Sequence, residues 1–278
     1  HLAREVRRVS IDAVADLHDV LRTKVLRFFF KLWGIRVAVI DKGRKEKQEL
    51  TSRRAKVLRP LRSSFERYGE VFVSLGVSFV PNFVSLYDEG VGDEGLYSEL
   101  TPPKSSGERW IGVAPFAKHK GKIYPLDRME KVVSKLSEES RVKIFLFGSG
   151  DREREILSLW RERYPGVISL ADKRYGFAVE LSLMSRLDVM ISMDSANMHL
   201  ASLVEVPVVS VWGATHPYCG FLGWRQSDSG VVELPLDCRP CSVFGNKPCY
   251  RKDYACLEIA PETIVDRVKS LETLIKEK

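Results

Sequence analysis

Between residues 105 and 258 short β-branched runs alternate with amphipathic stretches, and this alternation restricts the fold more than any other feature of the chain. Residues 110–114 (WIGVA), 142–147 (VKIFLF), 167–170, 188–193 and 208–212 read as strands. Residues 126–139, 151–164, a stretch near 177–187, and 196–204 read as the helices between them. The strands are almost continuously apolar instead of alternating, the pattern of strands buried on both faces of a parallel sheet. The expectation is a doubly wound, Rossmann-like α/β domain.

The first hundred residues carry a weaker form of the same theme. Residues 11–17 (IDAVADL) and 35–40 suggest strands, 18–33 a helix, and 70–77 an element of open type, too few units for a complete sheet. Gly, Asp, Glu and Pro crowd residues 88–103, so a linker is expected near 85–107. Pro261 opens a last helix at a position where its missing N–H costs nothing. The expected organisation is therefore an N-terminal domain over 1–104, a nucleotide-binding domain over 105–258 and a terminal helix over 259–278. A chain of 278 residues is long enough to bury two cores.

Charge is unevenly spread. The first 62 residues hold 17 basic and 7 acidic side chains, while the remainder is mildly acidic. Such asymmetry points to an anionic partner, either lipid headgroups or nucleic acid. Nucleic-acid modules interleave exposed aromatic residues with basic ones, and the basic run 42–62 contains no aromatic residue, so nucleic acid is not expected. The longest apolar stretch, 25–40, is broken by Arg27, Lys31 and Arg36 and is no bilayer span. Followed by the basic run, it suits a surface resting on anionic lipid. Phe29 and Leu32 are expected in the core, and the charges of 42–62 on headgroups. Five cysteines, an odd number, fit a reducing compartment, so a cytoplasmic protein peripheral on a membrane is expected.

Residues 189–213 carry the most chemical information. The strand ends at Asp194-Ser195 and a helix follows at once. In open parallel sheets ligands sit outside the carboxyl ends of strands, where helix starts offer unpaired N–H groups. Phosphate is expected at Ser195, Ala196 and Asn197, with His199 in the first turn reaching the same mouth. The plainer alternative makes Asp194 and Ser195 only a helix cap. The loop 115–125 (PFAKHKGKIYP) gathers Lys118, His119, Lys120 and Lys122, which either neutralise a diphosphate or form a solvated basic loop. The turn 147–155 (FGSGDRERE) lacks the full dinucleotide fingerprint and the Walker lysine. There Asp151 suits a cap, and Glu153 or Glu155 could accept from a ribose hydroxyl. Cys238, Cys241, Cys249 and Cys256 follow a C-x2-C-x7-C-x6-C spacing. They suggest either a closed four-thiolate structural zinc site or thiols that stay reduced or pair after isolation.

Three of these segments resemble glycosyltransferase family nine, the bacterial heptosyltransferases, which move heptose from ADP-heptose to the inner core of lipopolysaccharide. Residues 194–217 (DSANMHLASLVEVPVVSVWGATHP) are similar to the family's Asp-Thr/Ser-Gly-x-x-His segment, Val-Pro strand and Gly-x-Thr turn, with Ala196 where Gly is usual. KIYP at 122–125 resembles its Lys-x-Trp-Pro element, and 11–26 (IDAVADLHDVLRTKVL) resembles the helix entry of its acceptor domain. The resemblance implies a GT-B architecture of two Rossmann-like domains facing across a cleft, the N-terminal one incomplete in this chain. It implies a donor held by Lys118, Lys122, Glu153, Asp194, Ser195, Ala196 and Asn197, with His199 assisting at the phosphates. The general-base Asp is then expected upstream of His1, in a Gly-Asp turn not found ahead of Ile11. No cofactor is required. The partners implied are an ADP-sugar, a lipid-linked core oligosaccharide and an anionic inner-membrane surface. Two alternatives stay open: another nucleotide sugar as donor, or a zinc-stabilised nucleotide-binding module that transfers nothing.

Overall fold

A computed structural model describes residues 5, 6 and 8–276, with side chains to residue 273. The chain forms two compact units. The first comprises residues up to 50, 55–83 and 218–221; the second comprises 51–54, 84–217 and 222–278.

In the first unit β1 (Ala13–Asp16) pairs in parallel with β2 (Arg36–Val39), Ala13 opposite Arg36 and Asp16 opposite Val39. Helix α1 (Leu21–Leu32) connects them, and α2 (Arg44–Leu50) and α3 (Ser64–Ser74) follow. The element left open at 70–77 is helical and begins earlier. Ser63 Oγ accepts from the Glu66 amide at 3.1 Å while Glu66 Oε2 accepts from the Ser63 amide at 2.6 Å, a reciprocal cap that fixes the start. Phe30, Ala38, Leu50 and Val71 form the buried apolar side. Phe29 and Leu32, expected there, are exposed: the helix turns Phe30 inward, and its neighbours point away.

The second unit is built on a parallel six-stranded sheet. Its strands are β3 (Arg109–Ala114), β4 (Val142–Leu146), β5 (Val167–Ser169), β6 (Val189–Met193), β7 (Val208–Trp212) and β8 (Val231–Glu233), in the order β5-β4-β3-β6-β7-β8. Counted from β3, this is the 3-2-1-4-5-6 order of a doubly wound fold, whose direction of winding reverses between β3 and β6. Five strands were expected. The sixth, β8, is three residues long and leaves no periodic signature; it exists through its register on β7, from Ser210 opposite Val231 to Trp212 opposite Glu233. The helices are α4 (Leu126–Ser137), α5 (Asp151–Arg163), α6 (Phe177–Met184), α7 (Ala196–Leu203) and α8 (Pro261–Lys276). Met129, Val132, Val133 and Leu136 of α4 recur at helical spacing. With Ile264, Val265 and Val268 of α8 they pack against Ile111, Val113, Ile191 and Val209 of the sheet in one continuous core. Among the described residues no helix is long and apolar enough to cross a membrane.

Residues 84–104, which the sequence assigns to the first domain, pack on the second unit. The Gly92 amide donates to Ser185 Oγ at 2.8 Å, Ser182 Oγ donates to the Asp93 carbonyl at 2.6 Å, and the Tyr97 ring meets Trp110 edge-on at 6.1 Å. The turn-rich composition marks a strap over the sheet's amino end and not a free linker. Trp110 is fully buried beneath it, 4.8 Å from the Phe145 ring. Trp110→Ala is expected to lower the unfolding free energy of this unit by about 3–5 kcal/mol in a urea titration followed by near-ultraviolet dichroism. A change within the ±0.5 kcal/mol typical of surface sites would contradict the packing described.

Candidate functional site

The carboxyl ends of β3, β6 and β7 lie side by side, and each contributes to one cluster. After β6 the chain places Asp194, buried, ahead of α7. Asp194 Oδ2 receives Lys122 Nζ at 3.0 Å and Thr215 Oγ1 at 2.7 Å. Lys122 comes from a 3-10 turn, Lys120–Lys122, in the loop after β3, and Thr215 from the loop after β7. Only 15% of the lysine side chain and 7% of the aspartate side chain are exposed. Their mutual charge therefore offsets a desolvation cost that neither could sustain alone.

The helix-cap alternative does not hold. Asp194 is committed to the ion pair, and Ser195, in an extended conformation, accepts no amide of the first turn; its hydroxyl lies 3.2 Å from Ser192 Oγ. Helix α7 thus begins without a side-chain acceptor, and its first N–H groups and positive dipole end remain for an anion. His199 follows in the same turn. Burial lowers its proton affinity below the ordinary value; Asp194 opposes that shift and Lys122 adds to it. The shift favours the neutral ring, which has one N–H to donate.

Surrounding backbone holds Lys122 in place. Gly245 adopts a positive φ of 72°, and a Cβ there would stand 2.5 Å from Lys122 Cγ, so the glycine backbone lies directly over the lysine stem. The Ala214 amide donates to the Gly121 carbonyl at 2.8 Å, and the Cys241 amide to the Ala214 carbonyl at 2.9 Å. Arg239, 2% exposed, fixes the same loop: its guanidinium donates to the carbonyls of Gly213 (2.5 Å), Trp212 (3.1 Å), Thr215 (2.8 Å) and Leu234 (2.7 Å). Glu233 Oε2 pairs with it at 2.8 Å and Glu233 Oε1 faces His216 Nε2 at 3.3 Å. Burial raises the Glu233 carboxyl, but His216 and Arg239 outweigh it and hold the group below its usual range.

The other sequence candidates distribute unevenly. Lys120 stacks its ammonium 5.0 Å from the Tyr254 ring, Lys118 is exposed, and His119 precedes the 3-10 turn. Ala196 is exposed and Asn197 half-buried in the first turn of α7. Glu153 Oε2 accepts the Ser149 amide at 2.8 Å, so that oxygen serves its own turn; Glu155 is exposed on α5, and Asp151 pairs with Arg154 at 3.2 Å. The zinc expectation is corrected. Among the described residues no three or more His, Cys, Asp or Glu are arranged to hold a metal ion, and none of Cys238, Cys241, Cys249 and Cys256 is in a disulfide. The Cys241 thiol donates to the Cys238 carbonyl, and burial pushes the Cys256 thiol up to about 11, so that thiol stays protonated. Sequence reasoning missed Thr215, Gly245, Arg239 and Glu233 as site residues. Only Thr215 had a signal, in the Gly-x-Thr turn; Arg239 stands inside the C-x2-C spacing that drew attention to the thiols instead.

A sequence model of glycosyltransferase family 9 (heptosyltransferase) matches residues 1–249. Lipooligosaccharide heptosyltransferase 2 from Campylobacter jejuni subsp. jejuni serotype O:6 is 25% identical over 172 residues, covering 60% of this chain and 53% of its own length. The serotype O:2 protein is 26% identical over 170 residues, covering 60% and 52%. The chain thus spans about half the length of the curated relatives it matches. Among solved structures, E. coli ADP-heptose LPS heptosyltransferase II superposes with a TM-score of 0.66 at 18% identity, over 100% of this chain and 81% of that one. The glycosyl transferase family 9 protein from Veillonella parvula gives 0.68 at 18% over 98% and 76%, and E. coli heptosyltransferase WaaC with ADP gives 0.61 at 15% over 97% and 75%. At these identities the structural likeness establishes the fold.

Arg239→Met removes the donor to four buried carbonyls and strands the Glu233 carboxylate, so a stability loss on the order of 3–5 kcal/mol is expected in chemical denaturation. Arg239→Lys should recover only part, because an ammonium cannot reproduce the planar fork. Equal stability of wild type and Arg239→Met would contradict the clamp.

Proposed function

Because the chain belongs to glycosyltransferase family 9, the heptosyltransferases, we propose that it transfers heptose from ADP-heptose to the inner core of lipopolysaccharide, with inversion at the anomeric carbon. One observation carries the reading: Lys122, anchored by Asp194, stands beside the uncapped start of α7 where a doubly wound sheet reverses. That is a site for the diphosphate of a nucleotide.

As the bond between the anomeric carbon and the diphosphate breaks, negative charge grows on the leaving phosphate. The Lys122 ammonium, the first-turn amides at Ala196 and Asn197 and the His199 N–H stabilise it there, already oriented before reaction. The exposed Lys118 adds to the positive field at the mouth. Fixed cationic groups take the neutralising role, so donor binding needs no divalent ion. Asp194 cannot face a phosphate directly, since like charges repel; it fixes Lys122 and offers acceptor capacity to sugar hydroxyls. Glu153, at the neighbouring strand end, is assigned to the ribose. Proton removal from the acceptor hydroxyl requires a base on the acceptor side. The acceptor is a lipid-linked core oligosaccharide, and the excess of basic residues in the first 62 supports a peripheral position on an anionic membrane, on its cytoplasmic side.

ADP is expected to bind the chain in calorimetry with a chelator present. Lys122→Ala should weaken it by roughly ten- to a hundredfold, from about 1.5–3 kcal/mol for a charge-assisted hydrogen bond. Unchanged affinity in that variant would remove the reading. A second expectation concerns pH. The proton affinity of His199 is depressed in the free protein, and a phosphate beside it must raise that affinity, so nucleotide binding takes up a proton. Affinity should therefore gain, relative to His199→Gln, as pH falls from neutral into the mildly acidic range, between the depressed titration point of the free protein and the raised one of the complex. Parallel profiles for the two proteins would exclude His199 from the phosphate site.

A further inference from the structure

Leu21, Val25, Phe28, Phe29 and Leu32 recur along α1 at spacings of four, seven, eight and eleven residues, which places them on a single helical stripe. All five are exposed, Leu21 by 78%, Phe28 by 62% and Leu32 by 65%. The buried residue of the helix, Phe30, lies on the other side. A helix on the surface of a protein that meets only water shows the reverse, apolar residues inward and polar ones outward. Cationic side chains border the stripe: Lys24 and Lys31 along one edge and Arg22 along the other, each exposed. Arg27 is not among them, because it turns to Asp16 and Asp19 at 3.3 and 3.1 Å. From Leu21 to Ile40 there are five basic residues and no acidic one.

We propose that α1 is a membrane-docking helix, its Leu21-Val25-Phe28-Phe29-Leu32 stripe set into the headgroup layer of an anionic bilayer while Arg22, Lys24 and Lys31 engage lipid phosphates. The assignment rests on the reading that the acceptor is lipid-linked, and it gives that reading a contact surface. Charge complementarity selects the occupant. An apolar ridge flanked on both edges by cations matches a surface with anionic heads above hydrocarbon. The two phenylalanine rings, edge to face at 5.7 Å, form a compact wedge of interfacial depth. The helix has twelve residues, enough to lie in the interface and far too few to span the bilayer.

The full chain would be sedimented with vesicles of phosphatidylglycerol and phosphatidylethanolamine, and separately with vesicles of phosphatidylcholine alone. Wild type is expected to favour the anionic vesicles by at least about tenfold and to lose this preference between about 0.1 and about 0.5 M salt. Phe28→Ser with Leu32→Ser, and separately Lys24→Glu with Lys31→Glu, should each lower partitioning by about tenfold or more. ADP calorimetry on the same proteins should be unchanged, and far-ultraviolet dichroism and a thermal melt matching wild type establish that they are folded. If the apolar pair of substitutions leaves partitioning intact, or if wild type ignores anionic vesicles, the docking assignment falls. If wild type ignores lipid and is a dimer that the Phe28→Ser, Leu32→Ser protein splits in sedimentation velocity, the stripe serves a second copy and the lipid assignment is overturned. If vesicle binding behaves as expected but ADP does not bind wild type, the donor reading fails and the docking surface stands.

Discussion

A single oxygen, Asp194 Oδ2, ties together the loops that follow β3, β6 and β7 by receiving both Lys122 and Thr215. Everything proposed for the site depends on that shared contact. In a parallel sheet wound in both directions, the loops on either side of the reversal diverge and leave a crevice at the carboxyl edge. A crevice lined only by backbone would bind an anion through the helix start alone. Here a nearly dehydrated lysine is held at its rim by a carboxylate that pays back part of the lysine's desolvation, so the cation is in place before any ligand arrives.

The pair is itself held by a second layer. Arg239 collects the carbonyls of Trp212, Gly213 and Thr215, and Gly245 lies over the aliphatic stem of Lys122. Each contact restricts where the ammonium can go, so Lys122 is not a solvated loop charge. Of the thiols woven through the same stretch, Cys241 spends its hydrogen on the Cys238 carbonyl and burial keeps that of Cys256, and the turns around them present Arg239 to the loop.

Much of this was legible in the chain. Continuous apolar runs announced a parallel sheet, and the abrupt change from strand to helix at Asp194-Ser195 marked the carboxyl edge on which Lys122, Asp194 and Thr215 meet. What stayed hidden has physical causes. β8 is defined by pairing with β7, and its own apolar run is only Val231 and Val232 before Glu233. Lys122 and Asp194 are far apart in sequence, so their contact exists only once the strands are ordered. Local propensity made Asp194 and Ser195 look like a cap, and a long-range charge overrode it. In the first unit, hydrophobic identity suggested that Phe29 and Leu32 were core, whereas the turn of α1 about Phe30 puts both outside. An apolar residue is not bound to face inward when its surroundings include something other than water.

The most direct measurement is a crystal structure of the chain with ADP. The account requires the diphosphate at the start of α7, its oxygens within about 3 Å of Lys122 Nζ and of the first-turn amides. It would be contradicted by a nucleotide seated at any other edge of the sheet, or by one bound while Lys122 and Asp194 take no part.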